Sequence, residues 1–179
     1  HNHGPEVEKK YAAYLDGLAR AMTEFARERE CFPILVAMEM LDRRACEHLA
    51  ARLPQPPPLF VSDTLDMYDL VSVLRNCGLM VSSRFHAVVT SMPGLVPSGG
   101  VTMDERIRNL MNDRGHPELF LEVDDPALGE KVLAMMRLLD REGERIANDI
   151  ARTVPKQLKL MGQMGIDFLE EVLRIYPEF

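Results

Sequence analysis

Between residues 6 and 30 the apolar side chains Tyr11, Tyr14, Leu15, Leu18, Met22 and Phe25 recur three, four and seven apart, with Lys9, Lys10, Arg20, Glu24 and Arg27 between them. That period predicts an amphipathic helix. Residues 32–38 are a continuous apolar run, the pattern of a strand buried on both faces. Asp42 then reads as an N-cap for a helix over 43–53, with Ala45, Leu49 and Leu53 facing inward. Four prolines in 54–58 predict a stiff, irregular connector. Leu59-Phe60-Val61 is a short strand, and Asp63 or Thr64 caps a helix over 65–76 whose apolar face is Met67, Leu70, Val71 and Leu74. Gly78 is placed to end that helix in the left-handed conformation.

The same alternation continues. Residues 79–82 predict a strand, 84–92 a helix closed by Pro93-Gly94, and Leu95-Val96-Pro97 a brief strand emptying into a flexible Ser98-Gly99-Gly100 loop. Asp104 caps a helix to Arg114, and Gly115-His116-Pro117 turns into a strand over 119–123. Asp124 or Asp125 with Pro126 opens a long helix over 126–153, since proline is tolerated in a first turn. Pro155 is expected to kink or restart it, leaving a last amphipathic helix through Leu158, Met161, Ile166, Leu169, Val172, Leu173 and Tyr176, weakened by Gly162 and Gly165. Strand and helix thus alternate about five times at spacings of roughly 20 to 25 residues, those of βα units with right-handed crossovers. The fold class expected is α/β: a parallel, Rossmann-like sheet with helices on both faces and extra C-terminal helices. Residues 1–5 read as a tag or linker remnant, 6–154 as the Rossmann-like domain and 155–179 as a helical extension.

Composition narrows this picture. The 179 residues, 46% hydrophobic and 27% charged, suffice for a sizeable core. A net charge of −7 argues against the basic stripe of a nucleic-acid binder. No apolar run approaches the ~20 residues of a membrane span, and there is no signal-peptide pattern. Three cysteines, Cys31, Cys46 and Cys77, without a C-x-x-C pair fit small buried thiols in a reducing compartment rather than a disulfide framework or zinc site. His48 and His116 lack partners at metal-ligand spacing and read as structural or solvated; no metal is expected. The methionines at 135, 136, 161 and 164 read as core, or as surface meant for another part of a longer protein. Arg137, Arg141, Arg145 and Arg152, interleaved with Glu142 and Glu144, read as a solvated helix face.

Chemistry concentrates where the third strand meets its helix. Ser82, Ser83, Arg84 and His86 place two hydroxyls, a planar cationic fork and a titratable imidazole at a strand's carboxyl end, where open α/β sheets bind ligands. This reads as a small-anion site beside a general acid or base; the plainer alternative is a serine cap, a surface ion pair and a histidine bonded to a carbonyl. Asp63 would fall on the same sheet edge, as cap or as acceptor for a sugar hydroxyl, and Glu39 is similar. Ser98-Gly99-Gly100 could cradle an anion through backbone N–H groups, though it matches no established phosphate loop.

Val81-Ser82-Ser83-Arg84-Phe85-His86-Ala87 resembles the S-x-R-x-H-A segment of the polysaccharide pyruvyltransferase family, and Cys77-Gly78 before it and Met92-Pro93-Gly94-Leu95-Val96-Pro97 after it are similar to that family's flanks. The resemblance spans roughly residues 33–121. It implies a GT-B-like enzyme of two Rossmann-like halves that transfers the enolpyruvyl unit of phosphoenolpyruvate onto two sugar hydroxyls as a ketal. By motif, Arg84 would hold the phosphate or carboxylate and His86 would move a proton. Many members carry a tyrosine-aspartate-x-lysine pattern after the next strand; here Asp104 and Arg106 take the last two places and the tyrosine is absent. The chain is then expected to be a C-terminal half, inactive without an N-terminal domain. Phosphoenolpyruvate would be its donor substrate, with no cofactor, and a saccharide its acceptor. Its place would be cytoplasmic, with the inner membrane face as a peripheral contact. Two rivals stay open: half of a nucleotide-sugar glycosyltransferase or epimerase, with Glu105 or Asp63 on ribose, and a non-catalytic binding module of the same fold.

Overall fold

The computed structural model describes residues 4–178; of the expected N-terminal remnant, residues 1–3 lie outside them. Helix α1 (Pro5–Glu28) follows the predicted period and buries Leu15, Ala19, Ala21 and Phe25. Five short strands follow in chain order: β1 (Leu35–Ala37), β2 (Leu59–Val61), β3 (Met80–Ser82), β4 (Ser98–Val101) and β5 (Phe120–Leu121). All pairings are parallel, as βα connections require, but the single sheet expected is two: β1 with β2, and β3-β4-β5. The Leu35 N–H and the Ala37 carbonyl bond toward β2. By strand alternation the Val36 backbone groups point the other way, toward β3. A cleft of about 1420 Å³ opens there, between Leu35, Val36 and Met38 on one side and Leu79 and Val81 on the other.

The helices between strands are α2 (Met40–Ala50), α3 (Met67–Arg75), α4 (Phe85–Ser91) and α5 (Glu105–Asp113). Their caps differ in detail from expectation. Glu39, not Asp42, occupies the N-cap of α2; Asp42 sits a turn in and accepts the Glu39 N–H at 3.2 Å. Asp66, rather than Asp63 or Thr64, caps α3, accepting the Asp69 N–H at 2.9 Å. Met67, assigned to the core face of α3, is exposed, whereas Leu70, Val71 and Leu74 are buried. Gly78 is not left-handed: among the described residues only Leu95 and Gly115 have positive φ. Asp104 caps α5 as predicted.

The largest correction concerns residues 95–101. Leu95 adopts φ 57°, so it closes a 3₁₀ turn over Met92–Gly94 instead of starting a strand. The strand is Ser98–Val101, buried along its whole length, and it is the middle one of its sheet. Its glycines exist for packing. A Cβ on Gly99 would overlap Met135, and one on Gly100 would overlap Ile107. Successive strand residues face opposite sides. Helices therefore lie directly on both faces of β4, α5 through Ile107 on one and α6 (Leu128–Arg141) through Met135 on the other. Helix α6 also crosses α1 closely, at Gly17 and Gly129, where a Cβ on the latter would lie 3.0 Å from the Gly17 carbonyl oxygen.

The long C-terminal helix breaks elsewhere than predicted. Helix α6 ends at Arg141 and α7 runs unbroken over Gly143–Ile175, through Pro155. Proline leaves one carbonyl of the preceding turn without an N–H partner; Pro155 is exposed, so water can supply one. The first part of α7 buries Ile146 and Ile150 in the main core beside Val88, Met111, Leu119 and Leu139. Residues 158–176 are exposed save for a half-buried Val172, so Met161 and Met164 are not core.

Candidate functional site

The carboxyl edge of the strands gathers the residues with chemistry. Strand β3 ends in Ser82, whose hydroxyl accepts the Arg84 N–H at 3.0 Å and lies 3.3 Å from the Arg84 carbonyl oxygen. That side chain is spent on shaping the turn, and Ser83 beside it is exposed. The turn sets Arg84 as the N-cap residue of α4 with extended backbone, which sends its side chain back toward β1.

There the guanidinium meets Asp42. Arg84 Nε lies 2.9 Å from Oδ1 and 3.0 Å from Oδ2, Nη2 also donates to Oδ1, and Nη1 lies 3.4 Å from Glu39 Oε2. The hydrogen bonds it donates to Asp42 hold the arginine above its ordinary pKa despite partial burial, so it is a permanent cation. Its fork is filled on the Asp42 side and only loosely held on the Glu39 side. The cleft between β1 and β3 runs up to this point and is bordered there by Asp42, Ser83 and Arg84. A small anion entering from the cleft mouth would compete with Glu39 for Nη1 and leave the Asp42 pair in place.

His86 lies in the first turn of α4, exposed, with its ring edge-on to Phe85 at 5.8 Å between centroids. The Arg106 guanidinium stands 4.8 Å over the Phe85 ring, a cation–π contact. Arg106 is held by Asp104 at 2.7 Å. Asp104 is kept below the usual carboxylate pKa mainly by Arg106, with a smaller contribution from the charge of His86. Arg84 thus turns toward Asp42 and Glu39 at the start of α2, while His86 lies within electrostatic reach of Asp104 at the start of α5. Asp104 and Arg106, the positions matched to the aspartate and lysine of the family pattern, come to this same edge from the end of β4.

The remaining predicted residues divide. Asp63, at the end of β2, is taken by Arg43 at 2.7 Å, which also holds Glu47 at 2.9 Å. It is neither a helix cap nor an unengaged acceptor. Ser98, Gly99 and Gly100 are excluded as an anion loop by their burial inside β4. Ser98 lies at the amino end of the sheet, level with Met80 in the β3 register, and is fully buried against Arg114 Nη1 at 3.1 Å. Among the described residues no group of three or more His, Cys, Asp or Glu side chains is arranged to hold a metal ion.

Sequence reasoning missed Asp42 as the partner of Arg84. The available signal was its position one turn beyond a strand end, on the edge where Arg84 was expected. It also missed a second polar cluster at the opposite edge. His116 is 1% exposed, with Nε2 3.0 Å from Asp149 and Nδ1 3.2 Å from Glu118. Arg114, 4% exposed, leaves Nε and Nη2 without partners, and burial pushes its pKa down to about 10. Of the three thiols, Cys31 is exposed and Cys46 and Cys77 are half-buried, so none is the fully buried residue expected. Burial pushes the Cys46 thiol up to about 11. No described helix is long and apolar enough to cross a membrane.

Against known proteins, the chain is 24% identical over 112 residues to the amylovoran biosynthesis protein AmsJ of Erwinia amylovora, an alignment covering 63% of this chain and 27% of that protein. The chain therefore spans little more than a quarter of the length of the curated relative it matches. No family model and no solved structure matches.

Proposed function

We propose that this chain carries the donor-binding wall of a transferase in surface-polysaccharide biosynthesis, one that moves the enolpyruvyl unit of phosphoenolpyruvate onto two hydroxyls of a saccharide. The observation that carries the reading is the placement of Arg84 at the carboxyl end of β3, on the border of the cleft, with His86 exposed in the first turn of the helix that follows. The S-x-R-x-H-A resemblance and the likeness to a protein named for amylovoran biosynthesis support it.

In this reading Arg84 holds an anionic group of the donor through Nη1, displacing Glu39, while Asp42 fixes the plane of the fork. Arg106, over Phe85, faces the second anionic group. The first sugar hydroxyl bonds to C2 of the enolpyruvyl unit as a proton passes from His86 to the C3 methylene, which becomes a methyl. His86 regains a proton from that hydroxyl. The second hydroxyl then bonds to C2 while the C2–O bond to phosphate breaks, and phosphate leaves with the remaining proton. The acceptor wall belongs to a second half of the enzyme, so this chain binds the donor without turning it over. The donor and the thiols suit a cytoplasmic setting.

A donor-binding module without chemistry is the second reading, favoured by the bidentate hold of Asp42 on Arg84 and by the absent tyrosine. Both predict binding. Thermal shift with phosphoenolpyruvate, against a uridine diphosphate sugar, tests them together. At ten times the Kd, linkage adds ~1.4 kcal/mol, which is about 3–6 °C in a chain of this size. The shift should vanish in Arg84→Ala. A shift with the nucleotide sugar alone would overturn both readings. Phosphate release by the chain joined to a second half, lost in His86→Ala, separates the enzyme from the module.

A further inference from the structure

The C-terminal part of α7 stands off the body of the protein. From residue 158 to 176 every residue but Val172 is exposed, among them Leu158, Met161, Phe168, Leu169 and Tyr176. At about 100° per residue the apolar side chains of this stretch, Leu160 apart, cover roughly 200° of the helix from Met164 to Ile166, centred on Gly165. Such a surface, about 30 Å long at ~1.5 Å per residue, needs a cover.

The charges on its border say which. Lys159 and Glu170 are eleven positions apart, three helical turns, and so lie on one line along one edge of the apolar arc. Among the described residues neither is in an ion pair, while Arg174 is paired with Glu171 and Gln163 with Asp167 on the same helix. A second α7 laid antiparallel, with its twofold axis between Met164 and Gly165, brings Lys159 of each copy to Glu170 of the other. The same axis sets Met161 opposite Phe168, because both pairs share that midpoint. Gly162 and Gly165 then fall at the crossing, and a Cβ on either would meet nothing within the protein, so the two backbones can approach closely. A parallel pair would instead set this edge of one helix against the opposite edge of the other, where Lys159 and Glu170 do not meet. A lipid surface is disfavoured: residues 156–176 carry three basic and three acidic side chains, without the basic excess that draws interfacial helices to anionic membranes.

We propose that this chain pairs with a second copy of itself through the antiparallel contact of the α7 C-terminal halves, centred at Met164–Gly165. Closure is complete with two copies, since the contact is isologous.

The test is sedimentation equilibrium of the whole chain from about 1 to 100 µM, a range that resolves micromolar dimers. Lys159→Glu and Glu170→Lys should each weaken the dimer about tenfold, by loss of two symmetric pairs and gain of like-charge contacts. The double reversal Lys159→Glu with Glu170→Lys should restore it, and Phe168→Asp should leave a monomer. These positions are exposed, so unchanged circular dichroism will show that the core is intact. A monomer throughout would overturn the proposal, as would a dimer indifferent to Phe168→Asp. Failure of the double reversal to rescue would overturn the antiparallel register. Binding of the monomer to phosphatidylcholine vesicles, lost in Phe168→Asp, would assign the face to lipid instead.

Discussion

Replacing Gly100 with alanine separates two meanings of the Ser98-Gly99-Gly100 segment. If it were an anion-cradling loop, one methyl group would hinder ligand and leave stability alone. In the structure Gly100 is the third residue of a buried central strand, and its missing Cβ is filled by the Ile107 side chain, which is 0% exposed. Ile107 is β-branched and held in the main core beside Met111 and Leu119, so it cannot swing away. Overpacking of this kind costs about 1–3 kcal/mol. The gain from a stiffer unfolded chain returns ~0.4–1 kcal/mol. A net loss of roughly 1–2 kcal/mol is expected, a fall in Tm of about 2–8 °C for a chain of this size. Gly99→Ala meets the end of the more flexible Met135 side chain and should lose less. Gly78→Ala, where a Cβ has open space and φ is not positive, should be neutral. Urea unfolding of the three variants measures this directly. A Gly100→Ala protein as stable as wild type but unable to bind anions would refute the packing argument and restore the loop.

Other expectations follow from the same contacts. Glu39→Gln removes the charge that competes for Arg84 Nη1, so phosphoenolpyruvate affinity should rise severalfold by calorimetry while Tm falls slightly, the pair being largely exposed. Arg114→Met removes a buried guanidinium with two orphaned nitrogens; stability should hold or increase in urea unfolding, since each orphan costs ~1–3 kcal/mol. Asp149 is held below its ordinary pKa, first by Arg152 and then by His116. A depressed carboxylate contributes stability that is complete above the unfolded value and lost as pH falls through the folded one. Asp149→Asn should therefore be less stable than wild type near pH 6, and the difference should shrink below about pH 4 in denaturation curves.

Much of the chain was legible because its periods are local. The stripe from Tyr11 to Phe25 reports α1 without knowledge of the fold, and Asp104 before an apolar helix reports its own cap. The errors lie where a partner distant in sequence decides. Gly99 and Gly100 look like a loop until Met135 and Ile107 press on them from both sides. Pro155 looks like a helix break because a buried proline would leave a carbonyl unbonded, and only its exposure removes that cost. The site shows the same division. The turn that presents Arg84 and His86 is written in five adjacent residues, whereas the carboxylate that grips Arg84 lies 42 positions earlier and announces itself only as a helix-start residue. His116 gave no sign of being enclosed by Glu118 and Asp149, since burial of a histidine depends on what α7 lays over it.

The claim that matters most is that phosphoenolpyruvate binds at the turn that carries Arg84 and His86. Titration of the ¹⁵N-labelled chain with phosphoenolpyruvate, followed residue by residue by amide NMR, tests it most directly. Saturable shifts should centre on Ser83, Arg84, Phe85 and His86, reach Glu39 and Arg106, and disappear in Arg84→Ala. Shifts centred on Ser98–Gly100, or no shifts while a uridine diphosphate sugar moves Asp63 and Glu105, would contradict it.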